Sequence, residues 1–387
     1  MSADKIWAEA VKEKILNKMV CVRERNHGKL PYTTDLNGRY DDKSDKKIAY
    51  GPDDGLNWWT NGFWGGILWL MYEESPNKAD KSLYKSSARM CLQMLSATLD
   101  SYTGLHHDVG FMFMPTAVMQ YRLTGDDRAK DIALHAANIL AGRFNIAGGF
   151  IRAWNDIPGC DTKGWAIIDC MFNITLLYWA SKITDDPRYK QIAMAHADTV
   201  MEHFIRADGS SIHIGEFNPY TGEYICNHAG QGYSTSSAWS RGQGWALYGF
   251  TLSYLHSKKE EYLTTACRVA DYCLSQISDT YIIPSDFKKK GEGNIEDSCA
   301  ACVIAGGLIE LSTVTKNGKS QTYLSTAVNI LKALDENRND YSEKTDAIVT
   351  GCSAAYHSNQ HNITMNYADY FFIEAIWKLT DTTTETW

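Results

Sequence analysis

The chain alternates two kinds of apolar segment, and this alternation limits its fold more than any other feature. The first kind carries Tyr or Ala, then Ala four residues later, then apolar residues at helical spacing. It recurs at Tyr84, Ala88, Cys91 and Leu92; at Ala129, Ala133, Ala136 and Leu140; at Tyr189, Ala193, His196 and Val200; at Tyr262, Ala266, Val269 and Cys273; and at Tyr323, Ala327, Ile330 and Leu331. Polar turns such as Thr124-Gly125-Asp126-Asp127 and Thr184-Asp185-Asp186-Pro187 precede these segments, where Asp and Pro suit a helix start. The second kind is apolar nearly all round and spans residues 58–71, 111–123, 166–180, 238–255, 299–311 and 370–377. Helices with one apolar stripe belong outside, and helices apolar on every side belong inside. With an opening helix over residues 3 to 22 pairing with the last, the expectation is an all-α (α/α)6 barrel of six inner and six outer helices. An open solenoid of helical hairpins is the alternative, but Gly- and Trp-rich loops favour a closed ring. No linker or low-complexity stretch divides the chain, so residues 1–387 are expected to form one domain.

A formal net charge of −8 without a long basic run argues against nucleic acid and anionic membranes as partners. The first residues contain no apolar run of signal-peptide length, and no later stretch could span a bilayer. The ten Cys are scattered, and the only near pair, Cys299 and Cys302, lies in an Ala-rich helical run without a second ligand pair. Free thiols, no metal site and a cytoplasmic location are therefore expected. The 12 Trp and 22 Tyr fit an aromatic-lined groove for sugar rings.

The long loops at 52–57, 104–110, 148–163, 209–237, 284–296 and 351–367 all lead from an outer helix to the next inner one. In a barrel they gather at one end, where function is usually found. Two acids belong to that end. Residues 165–173 read as a helix with Asp169 set among large apolar side chains, and His106-His107-Asp108-Val109-Gly110-Phe111 presents Asp108 in similar company. A buried carboxyl group must pair or take up a proton, and a protonated acid can serve as a general acid. The alternative is that both Asp residues cap helices. Trp239-Ser240-Arg241-Gly242-Gln243-Gly244-Trp245 offers a guanidinium for a carboxylate and two indoles to sandwich a sugar, or else Trp packing with a salt bridge.

Asn57-Trp58-Trp59-Thr60-Asn61-Gly62-Phe63-Trp64, the Asp108 and Asp169 stretches, and the Trp239 to Trp245 stretch occur in register. Together they resemble the unsaturated glucuronyl hydrolases of glycoside hydrolase family 88, over nearly the whole chain. The resemblance implies an (α/α)6 barrel and the release of a Δ4,5-unsaturated uronic acid from lyase-generated glycosaminoglycan oligosaccharides. It implies Asp169 as general acid and base, Asp108 as the second essential carboxylate, and Trp59, His107, His213, Gln231, Trp239, Arg241 and Trp245 lining the sugar subsite. Arg241 is assigned to the substrate carboxylate from its chemistry. The C4=C5 bond belongs to an enol ether, so protonation at C4 places an oxocarbenium charge at C5. Water then adds at C5, and the hemiketal opens and expels the remaining sugar. Burial beside apolar Ile167 and Ile168 and a nearby ionised Asp108 would raise the pKa of Asp169. No metal or cofactor is expected. Residues 351–370 lack the basic residue that some members use for a sulfate group. The competing readings are an unsaturated rhamnogalacturonyl hydrolase acting on pectin fragments, an inverting glycosidase, a sugar epimerase and a non-catalytic glycan-binding module.

Overall fold

The computed structural model of the chain describes residues 2–44, 55–156, 159–289, 291, 293, 295–316, 318–380 and 385–387. Residues 52–54, part of the first long loop, lie outside the described residues. The outer helices are α1 (Ala3–Arg25), α3 (Lys78–Ser96), α6 (Asp127–Ala141), α9 (Pro187–His203), α11 (Glu260–Gln276) and α13 (Lys319–Asn337). The inner positions are held by α2 (Asn61–Glu74), α4 with α5 (Val109–Phe113, Met119–Thr124), α7 with α8 (Cys170–Asn173, Thr175–Thr184), α10 (Ser240–Ser257), α12 (Ser298–Val314) and α14 (Asn366–Leu379). No described helix is long and apolar enough to cross a membrane.

The burial pattern follows the two sequence types. Helix α10 buries every residue from Ser240 to Ser253, whereas α11 buries only a stripe including Tyr262, Ala266, Val269 and Cys273. Tight turns join partners within a pair. Asp126 and Asp186 accept the backbone N–H of Arg128 and Arg188, as N-caps should, and Pro187 opens α9.

Around the ring, α2 packs on α4, α4 on α7, α7 on α10, α10 on α12, α12 on α14, and α14 on α2 again. The ring is therefore closed, and the solenoid alternative falls. Aromatic rings fill its axis. Phe111 lies 5.0 Å from Trp245, and Phe172 lies 4.4 Å from the C-terminal Trp387.

Two inner positions depart from simple helices. Pro115 has no N–H to donate, and the chain passes it in a π-helical turn over Met114–Val118, between α4 and α5. The second departure corrects an expectation: residues 165–173 are not one helix. Trp165–Ile167 form a strand, β3, and the helix begins only at Cys170. Strand β3 is antiparallel to β4 (Ile214–Phe217), which is antiparallel to β5 (Tyr224–His228). A smaller hairpin joins β1 (Phe144–Asn145) to β2 (Phe150–Ile151). An aromatic and a β-branched residue in strand alternation, with a partner strand to supply hydrogen bonds, override the helical periodicity.

The loops at the site end are stitched together by backbone hydrogen bonds. His107 N–H donates to Ala153, Ala153 to Trp165, Ile168 to His213, and Tyr356 to Gln231. Residues from distant loops thus share one rigid rim.

Candidate active site

A cavity of about 370 Å3 opens at this rim, lined by Trp58, Trp59, His106, His107, Asp108, Trp154, Ile167, Asp169, His213, Gly230 and Gln231. Both acids are in it. Each occupies the N-cap position of a short inner helix, α4 or α7, yet neither side chain makes the capping hydrogen bond. The backbone at Asp169 is already helical (φ −58°, ψ −27°), unlike the extended conformation from which a cap folds back. The capping alternative is thereby answered, since both carboxyl groups are left for the cavity.

Their surroundings are unequal. Asp108 Oδ2 lies 3.0 Å from His106 Nδ1 and 3.3 Å from His107 Nε2, and its Oδ1 lies 3.4 Å from Asn173 Nδ2. Burial alone would raise the Asp108 carboxyl, but these two imidazoles and the Asn173 amide hold it below the usual carboxylate range. Burial pushes His107 down to about 4 against the pull of Asp108, so near neutrality it meets Asp108 as a neutral N–H donor. His106, His107 and Asp108 could converge on a metal ion, since their ligand atoms lie within 4.8 Å of one another. As placed, both imidazoles are turned onto a single carboxylate oxygen.

Among the described residues, Asp169 has one close side-chain neighbour of this kind, His213, whose Nε2 lies 3.4 Å from Oδ2. The ring state of His213 follows from its other nitrogen. Nδ1 accepts the Gln231 backbone N–H at 2.9 Å, so the ring is neutral and Nε2 carries the hydrogen that faces Asp169. That contact requires Gly230, at φ +56°, because a Cβ there would collide with His213 Nδ1.

Asn173 ties the two acids together. Its Oδ1 accepts the Phe111 N–H at 2.7 Å, while its Nδ2 faces Asp108 and lies 3.3 Å from the Asp169 carbonyl. The close approach depends on Gly110, where a Cβ would strike the Asn173 backbone.

Of the residues singled out in the sequence, Asp108, Asp169, Trp59, His107, His213 and Gln231 line the cavity. Trp239, Arg241 and Trp245 are not among the residues that line it and lie deeper. Trp245 is fully buried among Phe111, Phe172 and Phe371 on the barrel axis. Trp239 is buried between His213 and the Arg241 guanidinium. Arg241 is only 1% exposed and donates to the Tyr367 hydroxyl and the carbonyls of Ser353 and Ala354, with Asp297 3.5 Å away. Because Gln231 also donates to Ala354, Arg241 anchors the 351–367 loop beside that residue. The salt bridge expected as one reading of this motif is present, between Arg241 and Asp297.

Sequence reasoning passed over Trp154 and Asn173 as site residues. Trp154 lies in the loop at 148–163, buttressed by Arg143, which donates to the Arg152 and Ala153 carbonyls and to Asn155. The available signal for Asn173 was its position one helical turn after Asp169, a polar side chain in an otherwise apolar run.

Known proteins share this arrangement. The chain is 32% identical over 358 residues to an unsaturated glucuronyl hydrolase from Bacillus sp. strain GL1, covering 90% of this chain and 93% of that one. It is 32% identical over 327 residues to an unsaturated chondroitin disaccharide hydrolase from Streptococcus agalactiae, covering 82% and 80% of the two chains. The crystal structure of unsaturated glucuronyl hydrolase from Streptococcus agalactiae superposes with a TM-score of 0.88 at 27% identity, over all of this chain and 94% of the other. The protein is a glycosidase with an α/α-barrel fold. The model for Glycosyl Hydrolase Family 88 matches residues 32–381, and the chain belongs to that family.

Proposed function

We propose that this glycosidase removes the Δ4,5-unsaturated uronic acid from the non-reducing end of lyase-generated glycosaminoglycan oligosaccharides, by hydrating the C4=C5 bond. The observation that carries the reading is the pair of uncapped acids with unequal neighbours in one cavity. Asp108, surrounded by N–H donors, stays ionised and faces the positive charge that develops at C5 and the ring oxygen. Asp169, held among the described residues only by the longer 3.4 Å approach of His213, is the group placed to exchange a proton with the substrate. It gives that proton to C4, and its conjugate base then takes one from the water that adds at C5. The hemiketal so formed collapses, breaking the glycosidic bond. His213 orients Asp169 through Nε2, and Trp59 and Trp154 offer indole faces to the sugar.

The substrate class draws on the relatives, which include unsaturated chondroitin disaccharide hydrolases and a Streptococcus agalactiae enzyme complexed with dGlcA-GalNAc6S. The pectin-directed alternative draws no support from them. All ten Cys are free thiols, which favours the reducing cytoplasm as the working compartment.

The test uses the ultraviolet absorbance of the conjugated C4=C5 bond. Incubation with an unsaturated chondroitin disaccharide should abolish it, and a saturated disaccharide should remain intact. Binding with undiminished absorbance, or cleavage of the saturated sugar, would refute the proposal.

A further inference from the structure

The β4–β5 hairpin carries a second cluster of reactive side chains, outside the cavity and unused by the reaction above. Glu216 and Cys226 are paired across the two strands, and His228 follows on the same face two residues later. Cys226 Sγ lies 3.4 Å from Glu216 Oε2 and 3.8 Å from His228 Nε2, and that nitrogen lies 2.7 Å from the same carboxylate oxygen. Sulfur, nitrogen and oxygen donors from three residues thus converge, all within 4.8 Å of one another.

A tetrahedral zinc ion, with bonds of about 2.3 Å to sulfur and about 2.0 Å to nitrogen and oxygen, holds its ligands about 3.3–3.6 Å apart. The two sulfur separations already sit near that range. The shorter histidine–carboxylate separation is a hydrogen bond, which would open as the ion takes the place of the Nε2 proton and the ring carries its hydrogen on Nδ1 instead. A cross-strand Glu–His pair would account for two of these residues. It accounts for the third only as a weak S–H donor to the same carboxylate oxygen. A divalent cation satisfies the carboxylate and the thiolate together. His228 and Glu216 are 36% and 29% exposed, which leaves an entry path and room for a water ligand.

We propose that Glu216, Cys226 and His228 form a binding site for a thiophilic divalent cation, zinc foremost, with water as the fourth ligand and the thiol proton released to solvent. Its role is structural. The His228 ring stacks on Trp165 at 4.5 Å, and β3 runs on from Trp165 to Ile167 in the cavity wall. The ion would therefore brace the sheet beside Asp169 without touching substrate.

The test is a titration of the chelator-treated full chain with Co2+, an optical probe for zinc sites. One equivalent should bind with a thiolate-to-cobalt charge-transfer band in the near ultraviolet, and zinc should displace it. Cys226→Ser should abolish the band, while Cys160→Ser, at another partly exposed thiol, should leave it intact. His228→Ala should weaken binding by more than the roughly tenfold lost with an outer-shell partner. Zinc should raise the thermal midpoint of the wild type and not of Cys226→Ser. Cobalt at His106, His107 and Asp108 would give no thiolate band, so the two clusters are distinguished. Absence of the band at equimolar cobalt, or its persistence in Cys226→Ser, would overturn the proposal.

Discussion

Asp108 and Asp169 stand where an ordinary Asp would cap a helix, yet both are turned to the cavity and given different neighbours. Asp169→Asn should lower kcat by about 10²–10⁴-fold, the usual contribution of a positioned acid or base, with little change in fold by circular dichroism. Asp108→Asn should fall in the same range by removing the charge that faces the cation. Retention of wild-type kcat by either variant would remove that residue from the chemistry. His196 illustrates a buried group with a structural role. Its Nδ1 accepts the Ile151 N–H at 3.1 Å, and burial, with a smaller push from His107, lowers it from 6.5 to about 3. The folded value lies below the unfolded one, so on acidification the unfolded chain takes up the proton first. The contribution to stability is full above the unfolded value and is lost as pH falls toward the folded one. His196→Asn keeps an acceptor for Ile151 and removes the titration. The stability gap between wild type and variant should narrow by about 3 kcal/mol between about pH 7.5 and about pH 4.5. A constant gap in urea unfolding would contradict this.

The elements were largely legible in the sequence, because their type follows from how many faces of a helix are apolar. The outer stripes and the all-round apolar inner helices appear where the residue pattern placed them. What the pattern misread is local competition. Residues 165–167 carry the same apolar content as a helix, and only the distant β4 turns them into a strand. The Trp239 to Trp245 motif is ambiguous for a related reason. Arg and Trp suit a sugar site and a sealed interior equally well, and the depth at which Trp239, Arg241 and Trp245 lie is invisible in one sequence. The short inner helices α4 and α7 meet through Gly110, the element contact on which the acid pair depends. Gly110→Ala should destabilise the protein by about 1–3 kcal/mol, as overpacked cores do, and should lower kcat more than binding. An unchanged midpoint in urea would show that the approach is looser than described.

At the scale of the whole molecule, ring closure places six inner helix starts at one end and gathers their loops into a single rim. The axis beneath is closed by aromatic side chains, including Trp387, which is 4% exposed and contacts the rings of Phe172 and Phe371. Trp387→Ala should cost about 3–5 kcal/mol of stability, in line with large aromatic deletions from cores. An unaltered unfolding midpoint would mean that the barrel axis does not need it. Protonation at carbon is the step that separates this reaction from direct attack on the glycosidic bond. The decisive measurement follows the first turnovers of an unsaturated chondroitin disaccharide in heavy water by nuclear magnetic resonance. Deuterium is expected at C4 of the released uronic acid, delivered to one face, and Asp169→Asn should stop both labelling and release. Release of the sugar with no deuterium at C4 would contradict the mechanism.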